Sequence, residues 1–177
     1  MEILIRGDKL VVTKAIKAHI EDKLGKLEKY FDNSSDIKAH VVIRVKDNDQ
    51  IIEVTIPTNR FTLRAEEKHS DLYAAVNLMV DKLERQIRKN KTRLSAKLKK
   101  EPEPDFIFNF EEEDEEENKG KIIKRKSLDI KPMDEEEAIL QMELLDHDFF
   151  VFKNVDEDCI SVLYRRKDGA YGIIDTK

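Results

Sequence analysis

The charge of this 177-residue chain changes sign abruptly near its middle. Residues 85–100 contain eight basic residues and no acidic one, whereas residues 101–117 contain ten acidic residues and no basic one. Residues 1–100 carry 22 basic and 15 acidic side chains, a net charge of +7, and residues 101–177 carry 11 and 23, a net charge of −12. Because the acidic tract cannot bury enough apolar surface to fold, the chain is constrained to form two modules of opposite charge.

The boundaries of these modules follow from the position at which the charge changes sign. We predict an N-terminal domain over residues 1–100, an acidic flexible linker over residues 101–120 and a C-terminal domain over residues 121–177. Prolines at positions 102 and 104 end the preceding helix, because proline lacks the amide hydrogen and clashes with the turn before it. The chain length suits either one large domain or two small ones, and the charge break favours two.

The sequence lacks the signatures of a membrane protein, a secreted protein and an enzyme. No apolar run approaches the roughly 20 residues that span a membrane, and residues 1–10 lack the pattern of a signal peptide. Cys159 is the only cysteine, which excludes an intrachain disulfide and fits a reducing compartment. The histidines have no ligand-like spacing, and no phosphate loop or catalytic arrangement is visible. We therefore expect a cytoplasmic protein with no catalytic activity, cofactor, metal, small-molecule substrate or membrane partner.

Two helices are predicted in the N-terminal domain. A short apolar strand at residues 3–5 precedes a helix that begins at the N-cap Thr13. The apolar residues of this helix form one stripe at helical spacing: Ile16, Ile20, Leu24, Leu27 and Phe31. The second helix begins after the N-cap Ser70, with Asp71 in its first turn, and runs to Leu98.

Between the helices the apolar residues alternate with polar ones, which is typical of strands. Alternation over residues 37–45 and 52–56 is separated by the turn residues 47–49 and predicts a β-hairpin. A further strand follows at residues 61–65. We therefore predict an α+β domain of order β-α-β-β-β-α, with two helices on one face of a four-stranded sheet.

The second helix is predicted to be longer than the sheet. From residue 71 to residue 98 it would extend about 42 Å, at 1.5 Å per residue, whereas a seven-residue strand covers about 23 Å. The overhanging end is the basic stretch of residues 85–100. Like charges on a helix repel each other, so we expect a polyanion to neutralise them.

Structured RNA, recognised through its phosphates and shape, is the polyanion that fits best. DNA and an acidic membrane surface also attract a basic helix, and a merely solvated helix end is the structural alternative. The predicted RNA-binding residues are Lys26, Lys29, Lys82, Arg85, Arg88, Lys89, Lys91 and Arg93.

The C-terminal domain is predicted to be a small α+β domain. Residues 122–130 have the pattern of a strand, and Asp134 followed by Glu137 predicts the start of a helix. Strands follow at residues 149–152, 159–164 and 171–174. The last two are joined through Asp168-Gly169, a tight-turn signal.

So small a domain buries too little surface to be stable alone. The strand at residues 149–152 is apolar on both faces, so one face needs a partner outside the domain, and self-association is the simplest source. The alternative is a small core with one exposed patch. The predicted dimerisation residues are Phe149, Val151, Ile160, Val162 and Tyr164. We expect Ile160, Val162 and Tyr164 to lie at a buried face, against either the helix or the twin.

Several segments of the chain resemble a known family. They are Ile5-Arg6-Gly7, the residues 23–31 (KLGKLEKYF), 82–91 (KLERQIRKNK) and 163–174 (LYRRKDGAYGII), and Lys131-Pro132-Met133. On these segments the whole chain resembles the long-form ribosome hibernation promoting factors, in the ribosome-associated inhibitor and sigma-54 modulation protein family.

The resemblance implies a specific function. The N-terminal domain would bind the small ribosomal subunit, both rRNA and ribosomal proteins, where mRNA and tRNA bind. It would thereby silence translation under stress or in stationary phase. The C-terminal domain would form a homodimer and join two ribosomes into an inactive dimer. A transcription modulator acting through protein contacts is the alternative that the older family name suggests.

Overall fold

The computed structural model describes residues 1–8, 10–31, 36–58, 61–90 and 129–176. These ranges form an N-terminal and a C-terminal α+β domain, so the predicted fold class is confirmed for both. The predicted acidic linker, residues 101–120, lies outside the described residues.

The N-terminal domain is built on a four-stranded sheet in the order β1-β2-β3-β4. Its strands are β1 (Glu2–Gly7), β2 (Lys38–Lys46), β3 (Asp49–Pro57) and β4 (Thr62–His69). The last three are antiparallel neighbours as predicted, whereas β1 runs parallel to β2. A parallel pair needs a crossover connection, which helix α1 (Lys14–Gly25) provides. With helix α2 (Leu72–Lys89), the predicted order β-α-β-β-β-α is confirmed.

The predicted hairpin joins β2 to β3. Asp47 and Asn48 both have positive φ, 50° and 74°. A two-residue loop with two positive φ angles is a type I′ turn, whose twist matches that of the strands. The register places Ile43 opposite Ile52, and both side chains are fully buried.

The two helices begin at side chains that cap their free amide groups. Thr13 Oγ1 accepts a hydrogen bond from the Ile16 amide at 3.3 Å, as predicted for α1. For α2 the predicted N-cap, Ser70, is wrong by one residue: Asp71 accepts from the Ala74 amide at 2.8 Å. Serine and aspartate are equally good N-caps, and Asp71 has the extended backbone that the position requires.

The described helix α2 ends at Lys89, where the Asn90 amide donates to the Arg88 and Gln86 carbonyls. Its 18 residues extend about 27 Å at 1.5 Å per residue. This matches the nine-residue β3, at about 3.4 Å per residue. The described helix therefore does not overhang its sheet, and the predicted continuation to Leu98 lies outside the described residues.

Both helices cover the same face of the sheet, as predicted. Side chains of α1 and α2, including Leu24, Met79 and Leu83, form one buried cluster with the inward side chains of the strands. Fully burying an aliphatic side chain of this size contributes about 1.5–3 kcal/mol. The core therefore fixes which face of α2 points outward.

The C-terminal domain has a second four-stranded sheet, in the order β5-β6-β7-β8. Its strands are β5 (Pro132–Met133), β6 (Phe149–Asn154), β7 (Cys159–Arg165) and β8 (Tyr171–Asp175). Helix α3 (Glu135–Leu144) begins at Asp134, which accepts from the Glu137 amide at 2.8 Å and confirms the predicted N-cap.

The prediction of the first strand of this domain, at residues 122–130, is wrong for its last two residues. Residues 122–128 lie outside the described residues, and Asp129 and Ile130 are not in a strand. The first described strand is the two-residue β5, parallel to β6. Two residues are too few for a periodic pattern, so this strand could not be predicted from the alternation of apolar residues.

The turn between β7 and β8 is confirmed. Gly169 has a φ of 85°, in the left-handed region that glycine adopts without steric cost. Its amide donates to the Arg166 carbonyl, and the Arg166 amide donates to the Ala170 carbonyl. The register that follows places Val162 opposite Ile174.

Candidate nucleic-acid interface and self-association face

The structure describes six of the eight predicted RNA-binding residues: Lys26, Lys29, Lys82, Arg85, Arg88 and Lys89. Lys91 and Arg93 lie outside the described residues. Lys26 forms the C-cap of α1, and Lys29 lies in the short 3₁₀ turn that follows. The other four belong to the C-terminal half of α2. The packing of α1 against α2 brings the two groups together.

An acidic residue, Glu84, links the end of α1 to α2. Its carboxylate accepts hydrogen bonds from Lys29 Nζ at 3.1 Å and from the Tyr30 hydroxyl at 3.4 Å. Arg88 donates to the same carboxylate at 3.5 Å and to the Tyr30 hydroxyl at 3.4 Å. Sequence reasoning missed this role of Glu84, although its i, i+4 spacing to Arg88 is a recognisable signal.

These contacts keep the groups charged at neutral pH. The hydrogen bond from Lys29 lowers the pKa of Glu84, and the same bond raises the pKa of Lys29. The hydrogen bond to Tyr30 is the main cause that raises the pKa of Arg88. The side chains of Lys29 and Arg88 are still 57% and 68% exposed, so both cations are accessible to a ligand.

The other flank of α2 faces acidic residues. Lys82 Nζ lies 3.2 Å from the Glu67 carboxylate and 2.9 Å from that of Asp146, and it donates to the Glu66 carbonyl. Lys89 Nζ lies 2.6 Å from the Glu143 carboxylate. Asp146 and Glu143 belong to the C-terminal domain, so this flank is where the two domains meet.

The predicted basic residues therefore divide into two sets. The open basic surface consists of Lys26, Lys29, Arg85 and Arg88, which are exposed and, within the described part of the chain, form no ion pair with the C-terminal domain. The paired flank consists of Lys82 and Lys89, which contact carboxylates of the C-terminal domain. Lys82 is 28% exposed, whereas Lys89 keeps 66% of its side chain exposed. A surface groove on α2 is lined by Asp81, Glu84, Arg85, Arg88 and Lys89. Guanidinium groups such as those of Arg85 and Arg88 match phosphate in a bidentate geometry.

The uncovered face of the N-terminal sheet has a different electrostatic character. Arg44 lies 2.6 Å from Glu53 and 3.1 Å from Glu66, and Arg64 lies 3.0 Å from Glu53. Each of these arginines is thus neutralised by carboxylates of neighbouring strands. The helical side of the domain is therefore the better candidate for contact with a polyanion.

The predicted dimerisation residues lie together on the second sheet. The register pairs Phe149 with Tyr164 and Val151 with Val162 across β6 and β7. Directly opposed residues project from the same face, and Ile160 follows from the alternation along β7. All five residues therefore share one face, which we call the apolar face. Phe149 is 62% exposed.

Ile174 extends the apolar face onto β8, where it lies opposite Val162 and is 57% exposed. Sequence reasoning missed it, because membership of the face depends on the register that the β7–β8 turn sets. On the opposite face of β7, Ser161 and Leu163 are fully buried. In the single chain, the side chains of Ile160, Val162 and Tyr164 thus lie on the face of the sheet that does not pack against α3. That a second copy of the chain buries this face stays a prediction.

A glycine makes room for one residue of the apolar face. The Tyr164 ring lies over Gly172 of β8, and a Cβ built at Gly172 would be 2.4 Å from Tyr164 Cζ. Both residues belong to the segment of residues 163–174 on which the family resemblance rests. Gly172 therefore determines how Tyr164 presents its ring.

In the part of the chain that the structure describes, no helix is both long and apolar enough to cross a membrane. The same ranges contain no group of three or more histidine, cysteine, aspartate or glutamate side chains that could hold a metal ion.

Two family models match the chain. Residues 3–95 match the model "Sigma 54 modulation protein / S30EA ribosomal protein". Residues 117–173 match the model "Sigma 54 modulation/S30EA ribosomal protein C terminus". The matches correspond to the two domains and leave most of the acidic tract between them.

A curated relative is similar over nearly its whole length. The chain is 47% identical over 182 aligned positions to the "Ribosome hibernation promotion factor" of Staphylococcus aureus (strain COL). The alignment covers 97% of this chain and 96% of that protein. The similarity therefore extends across both domains.

Two solved structures also match about half of the chain. The N-terminal domain of Protein Y from Thermus thermophilus is 34% identical, with a TM-score of 0.45, and the match covers 50% of this chain and 98% of that one. A ribosomal subunit interface protein from Coxiella burnetii is 24% identical, with a TM-score of 0.45, and the match covers 52% and 99%. On the two family models and the full-length relative, the resemblance stated from the sequence is confirmed: the chain belongs to the sigma 54 modulation/S30EA ribosomal protein family, in its long form with two domains.

Proposed function

We propose that this protein is a ribosome hibernation factor. Its N-terminal domain binds the small ribosomal subunit where mRNA and tRNA bind and so silences translation under stress or in stationary phase. Its C-terminal domain pairs with a second copy and joins two ribosomes into an inactive dimer. The observation that carries the proposal is the 47% identity, across both domains, to a relative named for ribosome hibernation.

The open basic surface supports the first half of the proposal. Its exposed guanidinium and ammonium groups can pair with rRNA phosphates. Contacts with phosphates recognise the shape of the RNA and not its base sequence. Glu84 and Tyr30 hold Lys29 and Arg88 in place before any ligand arrives. A preorganised surface loses less side-chain entropy on binding.

The apolar face supports the second half. A symmetric dimer uses the same patch of both copies, and this face presents large apolar side chains to solvent, with Phe149 and Ile174 the most exposed of them. Burying such side chains contributes about 1.5–3 kcal/mol each. That contribution matters most in a domain too small to form a large core.

Co-sedimentation with purified small ribosomal subunits tests the first half. We expect binding whose logarithmic affinity falls with the logarithm of salt concentration, by about 0.7–0.9 per phosphate contact. The variant Arg85→Glu/Arg88→Glu should lose at least about tenfold in affinity and show a shallower salt dependence. Both side chains are exposed, so the variant should remain folded.

The matched control is Lys14→Glu/Lys17→Glu, which makes the same charge change at the opposite end of α1. It should bind like the unaltered protein. Equal losses in the two variants would show that only net charge matters, and unchanged binding by folded Arg85→Glu/Arg88→Glu would contradict the assigned surface. Failure of the unaltered chain to bind any ribosomal particle would favour the transcription modulator that the family description suggests.

A further inference from the structure

We propose that the C-terminal domain docks on the paired flank of α2 in the free protein and that RNA phosphates must displace it. This inference rests on the proposed function, because it concerns access to the ribosome-binding helix. Besides packing in the core of its own domain, α3 supplies the Glu143 carboxylate that competes with RNA for Lys89, and the residue Asp146 just after α3 competes for Lys82.

Helix α3 is buried on more than one side. Ala138 and Met142 pack in the core of the C-terminal domain, with Phe152 and Leu163. Leu140 and Leu144, by contrast, belong to the buried cluster of the N-terminal domain and are 4% and 0% exposed. A helix with apolar residues on two sides needs a partner on each side. The N-terminal domain is the second partner.

Charge pairs surround this apolar contact. Glu143 is only 8% exposed, and its carboxylate accepts from Lys89 Nζ at 2.6 Å and from the Tyr171 hydroxyl. Among the residues that the structure describes, its other oxygen, Oε2, is buried and has no hydrogen-bond partner. A buried carboxylate is costly unless a cation pairs with it. Glu143 therefore depends on Lys89, and undocking would change the environment of both.

The charge state of this pair at neutral pH follows from the same contacts. Burial favours the protonated carboxyl, but the hydrogen bonds from Lys89 and Tyr171 outweigh it and lower the pKa of Glu143. At the other end of the contact, burial opposes the charge of Lys82, but Asp146 and Glu67 raise its pKa. Glu143 and Lys82 are thus both charged at neutral pH.

The Lys82 ammonium already contacts the Glu66 carbonyl and the carboxylates of Glu67 and Asp146, and its side chain is 28% exposed, so a phosphate must replace one of these partners. The Lys89 side chain is 66% exposed, so a phosphate can reach it but competes with the Glu143 carboxylate for its charge. The open basic surface remains accessible in the docked form, so it can make the first contact. The apparent affinity of the whole chain for RNA then equals the affinity of the undocked form multiplied by the fraction of molecules that are undocked.

Docking leaves the apolar face accessible. Helix α3 packs on the face of the second sheet that contains Leu163, whereas Phe149, Val162 and Ile174 project from the other face. The free protein can therefore be docked and self-associated at the same time. The competition is between the C-terminal domain and RNA, not between docking and pairing.

Carbodiimide cross-linking of the full-length chain tests the docking directly, because this reagent joins ammonium and carboxylate groups that are already in contact. In the free protein we expect Lys89–Glu143 and Lys82–Asp146 cross-links by mass spectrometry. A mixture of isotope-labelled and unlabelled chains identifies them as intramolecular. Purified small ribosomal subunits in excess should reduce their yield at least fivefold.

The companion variant is Glu143→Gln/Asp146→Asn. Asp146 has a φ of 56°, a conformation that asparagine tolerates. We expect this variant to bind small subunits about fivefold tighter or more. The control, Asp156→Asn/Glu157→Gln, makes the same charge change in the exposed β6–β7 turn and should bind like the unaltered chain.

Each part of the proposal has its own contradicting result. Absence of the cross-links in the free chain would overturn the docking. Cross-links that persist on the ribosome, or equal affinity of the two variants, would overturn the competition. A chain that forms the cross-links but binds no ribosomal particle would refute the proposed function and leave the docking established.

Discussion

At the scale of single residues, Glu84 connects the cations of the open basic surface. An acidic residue in a basic helix would ordinarily weaken attraction for a polyanion. Here the carboxylate contacts Lys29, Tyr30 and Arg88 and fixes two cations from different elements side by side. Glu84 thus lowers the net positive charge of the surface by one unit, but it also fixes the positions of the cations that would contact phosphate.

The lowered pKa of Glu84 predicts a pH dependence of stability. A carboxyl whose pKa is lower in the folded state stabilises the fold above its ordinary pKa, 4.5, and that contribution is lost as pH falls through the folded value. The difference in unfolding free energy between the unaltered chain and Glu84→Gln should therefore be full at pH 7 and shrink below pH 4.5. Urea denaturation across this range measures it. A difference that does not change with pH would contradict the assigned ion pairs.

Gly172 predicts an effect on self-association rather than on folding. In Gly172→Ala the new methyl group would overlap the Tyr164 ring. The ring tip lies at the open sheet face and can swing away, so we expect the unfolding free energy to change by less than about 1.5 kcal/mol.

The displaced ring should weaken dimerisation, which analytical ultracentrifugation measures. Gly25→Ala is the control, since among the described residues no atom beyond its chain neighbours and its own helix backbone lies within 4 Å of a Cβ at that position, and it should leave dimerisation unchanged. Identical dimerisation of the two variants would contradict a role for Tyr164 in the interface.

At the scale of elements, local signals determined most of the fold. The alternation along β2 and β3, with the turn residues 47–49 between them, was sufficient to predict a hairpin, and the structure supplies its register. The N-cap at Asp134 was equally clear. The predicted N-cap of α2, Ser70, was wrong by one residue, because both side chains can cap a helix and the sequence does not show that Asp71 is the one with the extended backbone.

Other features depend on contacts between distant elements and gave no local signal. The parallel pairing of β1 with β2 follows from the crossover of α1, and the position of Ile174 on the apolar face follows from register. The division of the basic residues into an open surface and a paired flank requires the position of α3. The sequence identified the bases, but it could not show that Glu143 and Asp146 meet two of them.

The apolar face predicts how the C-terminal domain self-associates. Phe149→Asp/Ile174→Asp places two charges at exposed positions of this face, so the fold should persist while dimerisation is lost, because an unpaired charge at a buried interface is costly. Val155→Asp is the control: Val155 is 51% exposed and lies in the turn after β6. Analytical ultracentrifugation of the full chain should show a monomer for the first variant and a dimer for the control.

At the scale of the whole molecule, we propose that ribosome binding and pairing use different surfaces. The open basic surface is on the helical side of the N-terminal domain, and the apolar face is on the C-terminal sheet, opposite α3. Because the two surfaces share no residue, substitutions in one should leave the other's activity intact. Such additivity is expected for sites that have no common contacts.

Sedimentation of ribosomes through sucrose gradients tests this division of labour most directly. The unaltered chain should convert ribosomes into dimers. Phe149→Asp/Ile174→Asp should sediment with single ribosomes and form no dimers, and Arg85→Glu/Arg88→Glu should remain near the top of the gradient. Ribosome dimers formed by the Phe149→Asp/Ile174→Asp variant, or an unaltered chain that sediments with no ribosomal particle, would contradict the central claim.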